Sequence, residues 1–248
     1  MRAVPETAPG APASDGDFIR RFARIEARFE ARPWPWAAER REAVAAHWER
    51  RAAERPRMFN GQVLLIGDHA IAGDVFRATY FATDYASFLY WLDHGGPDRS
   101  VVNGFAMGAA QGSDGGYLLG VMNAHTATAG RIYFPAGTPD PSDLRPDGTV
   151  DLATSLVREM EEETGLSPAD YAVADGWIAV RSGGLIAFMR PLLLTEPAEA
   201  VRARIRAFLA RQDEPERADV RIVRSLADLD EGAMPAYLLA FLRWAYDG

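Results

Sequence analysis

The 248-residue sequence predicts an α/β (α+β) fold, and three observations carry that prediction. Short apolar runs rich in β-branched residues alternate with segments of helical period, the pattern of a sheet covered by helices. One segment, 151–165, has the period, cap and stop of a well-defined helix. Hydrophobic residues make up 48% of the chain, enough for a sizeable core in one or two domains.

The elements follow in order. Residues 1–14 are rich in Ala, Pro and Gly and read as a disordered tail. Phe18, Phe22, Ile25 and Phe29 fall near helical spacing, so 15–32 is expected to be a helix, broken at Trp34-Pro35-Trp36. A second helix runs to about Glu54 and stops before Pro56. Strands are expected over 61–67 and 74–81, then a short helix capped by Asp84. Segments 101–110 and 117–123 read as a hairpin around the Gly-rich turn 112–116. A strand at 131–134, the helix at 151–165, strands at 177–181 and 185–194, a helix at 198–211, a strand at 220–223 and a helix at 235–246 complete the chain. The organisation that results is a tail (1–14), an N-terminal helical and strand–strand–helix subdomain (15–98), and a larger domain over 99–248.

The helix at 151–165 holds the chemistry. Asp151 or Thr149 caps its start, Leu152, Leu156, Met160 and Thr164 form an apolar stripe, and Gly165 ends it. Glu159, Glu162 and Glu163 stand at i, i+3 and i+4, on one adjacent face. Carboxylates that close repel one another unless a cation lies between them, and a hard divalent ion suits oxygen ligands. A solvated acidic face is the ordinary alternative for any Glu-rich helix.

The run Arg158-Glu159-Met160-Glu161-Glu162-Glu163-Thr164-Gly165-Leu166 reads R-E-U-x-E-E-x-G-U, with U aliphatic. It resembles the second half of the Nudix box. Upstream, Arg131-Ile132-Tyr133-Phe134-Pro135-Ala136-Gly137 is similar to the strand and turn that precede the Nudix helix, with Ala136 in place of the first Gly. The first half departs from the pattern: Leu144 and Val150 stand where the family has Gly and Glu. The loop TPDPSDLRPDGTV between Gly137 and the helix is dense in turn formers, and Asp140, Asp143 or Asp147 is a candidate for the missing acid. The likeness covers about 100–230 and is strongest over 131–166. The strand–strand–helix unit at 59–98 is similar in layout to Nudix proteins with an N-terminal subdomain, one animal member of which cleaves UDP-glucose.

The resemblance implies a Nudix-type α/β/α sandwich with a mixed sheet and the hydrolysis of a diphosphate linkage in a nucleoside diphosphate derivative, with a nucleotide sugar as the leading class. It implies Mg²⁺ or Mn²⁺ on Glu159, Glu162 and Glu163, with the Gly137 carbonyl as an extra ligand. Glu162, Glu163 and Arg158 form the catalytic set, Arg158 orienting a carboxylate of the box. His125 and Arg131 are candidates to contact substrate phosphate. Glu196 and Glu199 are candidates for a distal general base. The divergent half-box motivates an alternative, a Nudix-fold ligand-binding or regulatory protein without hydrolase activity. The family's frequent dimers extend the expected partners to a homodimer.

Composition narrows the rest. The net charge of −8 and the lack of a basic tract argue against nucleic-acid polymers as partners. With zero cysteines there is no thiol chemistry, so the cysteine-dependent diphosphate isomerisation of some Nudix-fold proteins is excluded. No apolar run approaches the ~18 residues of a membrane span. The expectation is a cytoplasmic chain without a membrane partner.

Overall fold

The computed structural model describes residues 16–55, 58–126 and 128–247, so the disordered tail expected over 1–14 lies outside the described residues. The N-terminal strands are β1 (Phe18–Phe22), β2 (Arg24–Phe29), β3 (Gln62–Ala72) and β4 (Val75–Asp84), with helices α1 (Pro35–Glu39), α2 (Arg41–Glu54) and α3 (Tyr85–Asp93). Strands β5 (Asn103–Gln111), β6 (Tyr117–Met122), β7 (Ile132–Tyr133) and β8 (Ala136–Gly137) precede helix α4 (Leu152–Thr164). Then come β9 (Tyr171–Val173), β10 (Trp177–Ser182), β11 (Leu185–Leu194), α5 (Ala198–Leu209), β12 (Arg217–Val223) and α6 (Ala236–Asp247).

The large sheet is mixed and runs β1-β10-β11-β5-β6-β12, with β7 on β6, β8 on β5 and β9 on β11. Its central pair, β5 and β11, is parallel, and β1 pairs antiparallel with β10. Every residue of β5 from Asn103 to Ala110 is buried, as expected of a strand covered on both faces. One face packs against α4, α5 and a second, three-stranded sheet β2-β4-β3. The other face packs against α6. The architecture is the expected mixed sheet between helical layers.

Two glycines of β5 set the approach of those layers. A Cβ on Gly104 would fall 2.2 Å from Ile66 Cδ1 of β3, and one on Gly108 2.5 Å from Met160 Sδ of α4. Helix α4 can therefore lie directly on the sheet, with Leu156 and Met160 buried beneath it.

The helix expected over 15–32 is not formed; that segment is β1 and β2. The apolar residues there also satisfy a period of two, as in Ile25-x-Ala27-x-Phe29. The partners decide: β1 completes an edge of the large sheet and β2 lies parallel to β4. Strand pairing outweighs a helical spacing that no long-range contact rewards. Trp34 is buried and its indole N–H donates to Asp98 at 2.8 Å, which makes it a core residue.

The hairpin expected from 101–123 is nearly absent. Strands β5 and β6 pair only at Gln111 and Tyr117 and then splay apart. Short β8 fills the gap on the β5 side and β7 on the β6 side. The acidic helix α4 lies over this splay. Among the described residues no helix is long and apolar enough to cross a membrane.

Candidate functional site

Helix α4 is set by its ends. The Asp151 side chain accepts from the Thr154 backbone N–H at 3.1 Å and from its hydroxyl at 2.6 Å. Gly165 adopts φ +70°, the left-handed stop, and its N–H donates to the Glu161 carbonyl. This register distributes the acidic residues unequally: Glu162 is exposed, Glu159 half-buried and Glu163 buried.

Glu159 faces β8. A Cβ on Gly137 would fall 2.5 Å from its Oε1, so the glycine permits the carboxylate to approach the strand. Burial raises the Glu159 pKa, the neighbouring Arg158 guanidinium opposes the rise, and Glu162 and Glu216 add to it. Glu216, exposed just before β12, was not among the residues singled out by the sequence; nothing in its spacing marks it.

Arg158 donates to Asp143 at 2.7 Å, and more loosely to Glu159 at 3.4 Å. The Asp143 side chain is almost wholly buried, and it also accepts from the Asp140 backbone N–H at 3.1 Å. The hydrogen bond to Asp143 raises the Arg158 pKa further, keeping it charged. Of the three loop aspartates, Asp143 is the one brought to the helix. Asp140 caps the short turn at 141–143, and Asp147 accepts from the Thr149 N–H at 2.9 Å. The loop itself is fastened to β2: Phe29 N–H donates to Gly148 and Val150 N–H to Ala27.

Glu163 points the other way, into the splay between β5 and β6. Its Oε2 accepts from Arg217 Nε at 2.8 Å and from a terminal guanidinium nitrogen at 2.5 Å. Arg217 is 1% exposed. Its terminal nitrogens also reach the carbonyls of Gly120, Tyr133 and Phe134, each at 3.4 Å, and its guanidinium lies 4.5 Å from the Tyr133 ring centre. Burial lifts the Glu163 carboxyl above the ordinary Glu range, against the pull of Arg217.

His125 is exposed in the loop between β6 and β7. Arg131 donates to the Gly232 carbonyl at 3.2 Å, in the turn before α6. Glu196 pairs with Arg204 at 3.1 Å and Glu199 with Arg202, in exposed ion pairs around the start of α5.

Among the described residues no group of three or more His, Cys, Asp or Glu side chains is arranged to hold an ion. A full three-carboxylate cage on α4 does not fit this arrangement. A smaller donor set does: Mg²⁺ commonly keeps several waters and takes one or two carboxylates together with substrate phosphates. Glu159 and Glu162 meet that requirement, and their mutual repulsion is what a hard cation relieves.

No family model matches the sequence, and no curated protein does. Solved structures do. A MutT protein from Methanosarcina mazei is 18% identical, over 58% of this chain and 92% of its own, with a TM-score of 0.37. The Nudix hydrolase RenU from M. smegmatis is 20% identical, over 57% and 82%, with a TM-score of 0.35. An Ap4A hydrolase from C. elegans is 16% identical, over 57% and 93%, with a TM-score of 0.37. At these values the likenesses transfer neither activity nor residue roles to this chain.

Proposed function

We propose that this chain hydrolyses a diphosphate linkage in a nucleoside diphosphate derivative, with a nucleotide sugar as the substrate class. The observation that carries the reading is the pairing of two accessible carboxylates, Glu159 and Glu162, on a helix whose preceding loop is locked by Asp143 and Arg158. Glu159 and Glu162 offer adjacent oxygen donors, beside which an attacking water would release its proton to solvent. That water's oxygen attacks phosphorus, the bridging P–O bond breaks, and the second phosphate leaves with its group. When bound at Glu159 and Glu162, a Mg²⁺ or Mn²⁺ ion neutralises phosphate oxygens and lowers the pKa of a bound water. Arg158 acts through position: it ties the helix to the loop by way of Asp143.

The nucleotide-sugar class draws support from the N-terminal half. An open cleft of about 570 Å³ lies there, lined in part by Arg41, Trp48, Asn60 and Gln62 and by no residue of α4 or its preceding loop. Its amides and guanidinium suit hydroxyl and phosphate groups, and Trp48 offers a ring face. Strand β3, which carries Gln62, is tied to the site's loop by Leu64 N–H donating to Pro139 at 2.7 Å.

The test is turnover of a panel of nucleoside diphosphate derivatives with Mg²⁺ and with Mn²⁺. Glu159→Gln and Glu162→Gln are each expected to cut turnover at least 100-fold, the scale of losing a charge-stabilising group. Undiminished turnover in either variant sinks the assignment. Ligand binding by calorimetry with no product favours the non-hydrolytic alternative.

A further inference from the structure

We infer that the buried Arg217 guanidinium, and not a divalent ion, is the resident cation of Glu163, so the third acid of the helix run is a structural anchor outside the ion-binding set. The inference builds on the diphosphate-hydrolysis reading and narrows its ligand set to Glu159 and Glu162.

The surroundings of Arg217 are built for it. Both of its short contacts to the helix fall on Glu163 Oε2. Its terminal nitrogens turn to the carbonyls of Gly120, Tyr133 and Phe134, so all three guanidinium nitrogens are engaged. Gly120 makes room: a Cβ there would meet Arg217 Cδ at 2.6 Å and Nε at 2.8 Å. The Tyr133 ring covers one face of the guanidinium. A register shift in β12 between Arg217 and Asp219 accompanies this placement. Guanidinium stays protonated at any working pH, so it serves as a fixed positive charge. An ion binding Glu163 would have to displace it from a buried position, or add a second cation beside it.

The inference has a direct consequence for ion binding. Glu163→Gln is expected to keep the native Mn²⁺ affinity within about threefold, read by the free-Mn²⁺ signal in electron paramagnetic resonance. Glu162→Gln is expected to lose at least tenfold. A tenfold loss in Glu163→Gln overturns the inference. A second measurement does not depend on metal. In ¹H–¹⁵N spectra of the metal-free chain, the Arg217 Nε–H is expected as a slowly exchanging resonance, shifted in Glu163→Gln and unmoved by Mg²⁺. A resonance indifferent to Glu163→Gln, or one that collapses when Mg²⁺ is added, also overturns it. A native chain that binds no Mn²⁺ removes the hydrolase reading instead, and the Arg217 resonance then decides the inference alone.

Discussion

Helix α4 carries two arginine–carboxylate pairs that differ in almost every physical respect. Arg158 meets Asp143 across 15 residues of sequence, at the rim, with the arginine side chain 32% exposed. Glu163 meets Arg217 across 54 residues, with both side chains buried. The first fastens a loop beside the accessible carboxylates and stays partly in water. The second bolts the helix to β12 beneath the splayed strands. A like pair of charges thus does two jobs, and desolvation separates them: water reaches the arginine of the first pair but not its aspartate, while the second pair has both members buried and is strong only as long as both are present.

The largest expected effect comes from breaking the buried pair. Arg217→Met leaves the Glu163 carboxylate buried without its cation and is expected to cost about 3–5 kcal/mol in urea unfolding. The double replacement Glu163→Leu with Arg217→Met recovers most of that loss, because it removes both charges together. Additive losses in the double variant break the comparison.

Two glycines sharpen it. Gly120→Ala drives a Cβ into the locked Arg217 side chain, and the expected cost is about 1–3 kcal/mol. Gly137→Ala first meets the Glu159 carboxylate end, which can swing away. Its stability loss is expected to stay under about 1 kcal/mol, while turnover falls as Glu159 leaves β8. Thermal melts paired with steady-state rates separate the two outcomes.

A further effect concerns the helix start. Burial pulls the Asp151 pKa upward, but hydrogen bonds from Thr154 and the Arg145 guanidinium outweigh it, and the net shift is downward. A carboxylate lowered in the folded state contributes stability above its unfolded pKa and loses it as pH falls through the folded value. Asp151→Ala is therefore expected to cost about 1 kcal/mol at neutral pH. As pH falls from ~3.8 through the lowered folded value, the variant and native curves converge. A constant offset across that window contradicts the assignment.

Much of α4 was legible in the sequence. Its cap and stop sit at Asp151 and Gly165 because both signals are local: a side-chain oxygen three residues from an unpaired N–H, and a residue free to adopt positive φ. The loop was legible as turn-dense, yet which aspartate reaches Arg158 was not, since Asp140, Asp143 and Asp147 have the same local chemistry. The helix expected over 15–32 failed for a related reason. Its apolar spacing suits two periods, and the choice belongs to β4 and β10, which lie far along the chain.

The residues alone specify the helix and the spacing of its carboxylates. These rest on local geometry, fixed within a turn or two of chain. Tertiary structure alone decided which carboxylate remains available. Glu159, Glu162 and Glu163 look equivalent at i, i+3 and i+4, and Arg217 looks like one more surface arginine before a strand. Folding withdraws Glu163 and Arg217 from water together, and only a buried charge is compelled to find its partner.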